Sequence, residues 1–125
     1  HSEHQLENEI TQKSIARAKE VGLLTIVCAD TPEKGSEIVN FSPCVIAVEP
    51  PELIGGDISV STARPEVIKD AVEKIDCPVL VGAGVKNSED VKIALEVGAK
   101  GVLIASGVTK AENPEDVLKD LVSVI

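Results

Sequence analysis

Four short runs rich in Val, Ile, Leu and Ala recur along the chain, and amphipathic segments separate them. The runs are Leu23 to Ala29, Val45 to Val48, Pro78 to Val81 and Gly101 to Ala105. None alternates polar and apolar residues as a half-exposed strand would, so each reads as a strand buried on both faces. Val67, Ile68, Ala71, Val72 and Ile75 then form one helical stripe. Val91, Ala94 and Leu95 form a second, and Val117, Leu118, Leu121, Val122 and Ile125 a third. A helix over Glu9 to Val21 precedes the first strand, with Asn8 as its cap, Ile15, Ala18 and Val21 on one face, and Gly22 as its stop. Asp30-Thr31-Pro32 opens a short helix to Asn40, while Asn87 and Asn113-Pro114 open two more. One helix followed by four strand–helix units requires parallel strands joined by right-handed crossovers.

A doubly wound open sheet or part of a (β/α)8 barrel satisfies that pattern. A complete barrel takes about 250 residues, whereas this sequence has 125, contains no Met and begins at His1. The expectation is that residues 1–125 form a single unit, the C-terminal half of a barrel, supplying strands five to eight and helices four to eight. A small four-stranded doubly wound domain is the alternative. Half a barrel leaves two open edges and an uncovered interior, so the chain should pair with a preceding N-terminal half.

The formal net charge of −9 disfavours nucleic acid and anionic membrane surfaces as partners. An anionic ligand must instead be caught locally, by backbone amides or one placed cation. No apolar run reaches the roughly 18–20 residues that span a bilayer, and a cytoplasmic location is expected. Cys28, Cys44 and Cys77 are odd in number and border apolar runs, which reads as reduced, buried thiols rather than disulfide or metal ligands.

In parallel α/β folds the chemistry gathers at the carboxyl ends of the strands. Those ends are Cys28-Ala29-Asp30, Glu49-Pro50, Gly82-Ala83-Gly84 and Ala105-Ser106-Gly107. After Glu49, two prolines stiffen the exit and Gly55 and Gly56 allow a close approach of backbone to ligand, the makings of a rigid base carrying a movable lid. The glycine-bearing third and fourth ends expose amides suited to a phosphate.

The run Val48-Glu49-Pro50-Pro51-Glu52-Leu53-Ile54-Gly55-Gly56 resembles the catalytic-glutamate and lid segment of the triosephosphate isomerase family, in its shorter archaeal form. His1-Ser2-Glu3 resembles the segment of its electrophilic histidine. Gly82 to Val85 and Val102 to Val108 resemble its seventh and eighth strand ends. The similarity covers essentially the whole chain, as the second half of a TIM barrel. It implies interconversion of dihydroxyacetone phosphate and glyceraldehyde 3-phosphate, a small phosphorylated triose substrate, no metal or organic cofactor, and a homo-oligomer. Glu49 would be the base and His1 the electrophile, roles established for that family rather than read from these residues. Gly55, Gly84, Ala105 and Ser106 would bind the phosphate, Glu3 would support the centre, and Cys28 would pack rather than attack. Two departures stand out. The family's lid usually ends Gly-Thr-Gly, where this one reads Gly55-Gly56-Asp57, placing an acidic residue near a dianion. The family's catalytic lysine lies on a first strand that this sequence does not contain. A non-catalytic, self-associating half-barrel that keeps only phosphate binding, or another phosphosugar barrel enzyme, are the competing readings.

Overall fold

The computed structural model describes residues 1–54 and 59–125. Helix α1 (Asn8–Glu20) ends in a Schellman turn. Gly22 takes φ +75°, its N–H donates to the Lys19 carbonyl at 3.0 Å, and the Leu23 N–H donates to the Ala18 carbonyl at 2.9 Å. Leu23 is thereby used to close the helix. Strand β1 consequently covers only Ile26–Ala29 rather than beginning at Leu23. Asn8 is the first helical residue and not the cap, which is Glu7 without a side-chain bond. Asn8 instead donates to Glu37 and accepts from Lys34 Nζ at 2.7 Å, tying α1 to α2 (Pro32–Ile38). Helix α2 starts as its sequence dictates: Thr31 Oγ1 accepts from the Lys34 N–H at 3.1 Å, with Pro32 in the first turn.

Strands β2 (Val45–Val48) and β3 (Val79–Val81) complete a parallel sheet ordered β1-β2-β3. Ile26 lies opposite Val45 and Ala29 opposite Val48, while Val48 lies opposite Val81. Central β2 is covered on both faces, and Ile46, Ala47 and Val48 are fully buried. The strand expected over Gly101 to Ala105 is reduced to one bridge, Val102 opposite Val81. The Val81 N–H donates to the Gly101 carbonyl at 3.1 Å and the Leu103 N–H to the Val81 carbonyl at 2.8 Å. No further strand among the described residues extends the ladder beyond it, and the chain turns at Ala105 into α6 (Ser106–Thr109).

A short α3 (Val60–Ala63) leads into α4 (Pro65–Lys74), whose Val67, Ile68 and Ala71 are buried together with Ile75 just beyond its end. Val91 and Ala94 of α5 (Ser88–Glu96) join the same core. Asn87 caps α5 by accepting from the Asp90 N–H at 3.0 Å. A second Schellman turn ends it, with Gly98 at φ +101°. Helix α7 (Pro114–Val122) buries Leu121 but leaves Leu118 and Val122 exposed, as is Ile125 beyond it. At the opposite flank Leu6, Ile10, Val21, Leu24 and Ile26 are exposed, Leu24 at 88%. Only Ile15 of the face assigned to the first helix is buried, because Ala18 is half-covered and Val21 exposed. Apolar surface thus remains open beside β1 and on α7. Among the described residues, no helix is long and apolar enough to cross a membrane.

The two Schellman glycines differ in their surroundings. A Cβ at Gly98 would lie 3.1 Å from Val72 Cγ1, whereas one at Gly22 meets nothing within 4 Å. Alanine at either position is expected to cost about 1–2 kcal/mol for the left-handed backbone, and Gly98→Ala should cost more because half-buried Val72 must also shift. The order of urea midpoints checks this; equal midpoints would contradict it.

Candidate functional site

Because β2 is central, the residue that leaves its carboxyl end is enclosed as well. The Glu49 N–H donates to the Ala29 carbonyl at 2.8 Å and the Gly82 N–H to the Val48 carbonyl at 2.9 Å, so the parallel ladder runs one step past the strands. Glu49 is 3% exposed. Its Oε2 accepts from the Ser2 N–H at 3.0 Å, and its backbone carbonyl accepts from the Ser2 hydroxyl at 2.9 Å. The 3-10 turn Ser2–His4 is therefore seated on the end of β2 by a single buried serine. Gly82 provides the space on the other side: a Cβ there would fall 2.5 Å from Glu49 Cγ. On the third side, burial pushes the Cys28 thiol up to about 11, with the hydrogen bond and negative charge of Glu49 adding to the effect.

A cavity of about 390 Å³ opens over these strand ends, lined by His1, Cys28, Glu49, Ile54 and Gly82 on one side. Gly84, Val85, Lys86 and the stretch 103–107 line the other. The two glycine-bearing loops approach each other closely. A Cβ at Gly107 would lie 3.0 Å from the Val85 carbonyl oxygen, so glycine is what permits the approach. Gly84 takes φ +72°, and Ala105 is the cap residue of α6, its carbonyl accepting from the N–H groups of Val108 and Thr109 at 3.0 and 2.9 Å.

His1, Glu49, Gly84, Ala105 and Ser106, singled out from the sequence, thus border one cavity. Glu3 does not join them; its Oε2 lies 3.7 Å from His1 Nδ1, which also accepts from the Glu3 N–H at 3.4 Å. Gly55 and Asp57 lie outside the described residues. The cysteines are free, but half-buried rather than fully buried. Sequence reasoning missed Ser2, Gly82 as the wall beside Glu49, and Lys86, the one lysine or arginine among the described residues lining the cavity. Gly82 was within reach, since pairing Val48 with Val81 makes Glu49 and Gly82 neighbours. Ser2 carried no local signal, being 47 positions from its partner. A second cavity of about 520 Å³ lies between α1 and β1, lined by residues such as Ile15, Ala18, Leu24 and Ile26, and belongs to the open apolar flank.

The triosephosphate isomerase family model matches residues 1–124. The triosephosphate isomerase of Methanocaldococcus jannaschii is 45% identical over 100% of this chain and 59% of its own length. That of Methanobrevibacter smithii is 42% identical over 98% of this chain and 58% of its own length. The chain therefore spans less than two thirds of the curated relatives it matches. Among solved structures, thiamine phosphate pyrophosphorylase from Pyrococcus furiosus matches with a TM-score of 0.70 at 18% identity, over 97% of this chain and 55% of that one. An N-acetylmannosamine-6-phosphate 2-epimerase from Clostridium perfringens matches with a TM-score of 0.66 at 18% identity, over 86% of this chain and 46% of that one. At such identities these likenesses bear on the fold alone, part of a TIM barrel, and not on the chemistry. With the doubly wound alternative set aside by the fold and the family match running almost from end to end, the chain belongs to the triosephosphate isomerase family.

Proposed function

We propose that this chain is the C-terminal half of a triosephosphate isomerase and, joined to a preceding half of the barrel, interconverts dihydroxyacetone phosphate and glyceraldehyde 3-phosphate. The observation that carries the reading is the buried carboxylate of Glu49, opening onto one cavity with His1 and with the loops of Gly84 and Ser106. A phosphate-binding half-barrel has no need of such a carboxylate. The exposed apolar residues beside β1 and on α7 support pairing with the preceding half, and a homo-oligomer is part of the same proposal. Three unpaired thiols suit a cytoplasmic location.

In this mechanism Glu49 removes a proton from the carbon beside the substrate carbonyl, leaving an enediolate, and returns it to the neighbouring carbon. His1 donates to the developing oxyanion and moves the proton between the two oxygens. Enclosure serves both steps, because a carboxylate screened from water is a more effective base toward a weakly acidic C–H bond. The Ser2 N–H holds the carboxylate at the mouth of the cavity. Backbone amides around Gly84 and Ser106 face the phosphate, with Gly55 as a further contact. Lys86 supplies the local positive charge that a chain of net charge −9 otherwise withholds from a dianion. Cys28 stays a neutral thiol until the pH nears 11, so it leaves proton abstraction to Glu49.

Glu49→Asp in the chain co-expressed with the preceding half draws the carboxylate back by one methylene. The expected outcome is a fall in kcat of about a hundredfold with little change in KM, the cost of an ångström of misplacement; unchanged isomerase activity would overturn the assignment. The thiols offer a separate check. The raised Cys28 pKa means that the stabilising contribution of its neutral form is complete below the unfolded value and is lost as the pH rises toward 11. The Cys44 thiol is instead held below its ordinary value by the Thr25 backbone. At pH 8, iodoacetamide should therefore label Cys44 well before Cys28, as read by peptide mass spectrometry, and preferential labelling of Cys28 would contradict the buried neutral thiol.

A further inference from the structure

We propose that Asp90 is a positioning residue that clasps α3 to the loop after β3, and so sets how that loop meets the substrate phosphate. The inference rests on the reading of the cavity as a triose phosphate site. Asp90 is 9% exposed, and both of its carboxylate oxygens are engaged by different parts of the fold. Oδ1 accepts from the Thr62 hydroxyl of α3 at 2.8 Å, and Oδ2 accepts from the Lys86 N–H at 3.1 Å. Its backbone carbonyl accepts from the buried Ser61 hydroxyl at 3.1 Å, and Ser61 Oγ lies 2.8 Å from buried Ser59 Oγ. Alongside, the Val60 N–H donates to the Ala83 carbonyl at 3.1 Å. The two segments so joined are Ser59–Thr62, on the way back from Glu49, and Ala83–Lys86, which includes the cavity residues Gly84 and Lys86.

The local sequence points to a simpler role, which the geometry departs from. Asn87-Ser88-Glu89-Asp90 has the spacing of a capping box, in which the fourth side chain turns back to the N–H of the first. Asn87 does cap α5, but the Asp90 carboxylate reaches past it to Lys86 and across to Thr62. The carboxylate meets two donors arriving from separate elements with one oxygen each. Asparagine can keep both contacts, its amide oxygen accepting from Lys86 and its amide nitrogen donating to a reversed Thr62 hydroxyl. Alanine at Asp90 or valine at Thr62 cannot.

The test uses the chain assembled with its preceding half and compares kcat/KM for glyceraldehyde 3-phosphate with kcat/KM for glyceraldehyde, which lacks the phosphate. Thr62→Val is expected to lower the first about tenfold and the second by less than about twofold, because what is displaced is the phosphate-facing loop and not Glu49. Asp90→Ala should behave likewise and Asp90→Asn should restore the ratio. Asn87→Ala weakens only the helix cap, so it should lower the melting temperature and leave the ratio unchanged. A Thr62→Val enzyme with an unchanged ratio, whether both values persist or both fall together, overturns the clasp. Should Asp90→Ala not fold, Thr62→Val and Asp90→Asn decide the matter. An unsubstituted assembly that turns over neither compound overturns the reading of the site itself, and the clasp with it.

Discussion

A carboxylate almost sealed from solvent must receive its hydrogen bonds from the protein, because an unmatched buried charge is among the costliest features a fold can carry. Glu49 is such a group, and much of the local structure follows from accommodating it. The N-terminal turn is docked by the Ser2 amide and hydroxyl, which address the side chain and the backbone of the same glutamate. The position beside it on β3 is a glycine, since any Cβ would collide with the glutamate stem. The neighbouring Cys28 is kept neutral by the same burial and the same negative charge. Three elements far apart in sequence are thus arranged about one side chain.

The parallel ladder makes this arrangement possible. Its register brings Ala29, Val48 and Val81 to one level, so that the residues leaving the strands emerge together on one side of the sheet. Beneath them, the fully buried Ile46, Val48 and Val81 and the inner faces of α4 and α5 form a continuous core. That core holds the carboxyl ends rigid. Its coverage is uneven: the centre is closed, while the flanks beside β1 and on α7 present leucine, isoleucine and valine to solvent. In the proposed enzyme the remaining barrel covers those flanks.

Much of this was legible in the sequence where the signal was periodic and local. The stripe from Val67 to Ile75, the caps at Thr31 and Asn87, and the glycine stop at Gly22 all fold as their spacing dictates. Signals shared between levels were misread. Leu23 looks like strand, but its N–H is needed to close α1; Asn8 looks like a cap, but its amide is better used between α1 and α2. Val102 keeps only one bridge because a strand is defined by its neighbours as much as by its residues. At the site, residue types with intrinsic chemistry stood out: His1, Glu49 and the glycines. Ser2 and Asp90 did not, since each matters through a partner from a distant part of the chain.

In the proposed enzyme Glu49 carries a proton between two adjacent carbons of the substrate. The most direct test of this role is solvent exchange, followed by NMR with triose phosphate in D2O and the chain assembled with its preceding half. Deuterium is expected to enter at the carbon beside the carbonyl during turnover, and Glu49→Gln to abolish this incorporation. Incorporation at an undiminished rate in Glu49→Gln would contradict it.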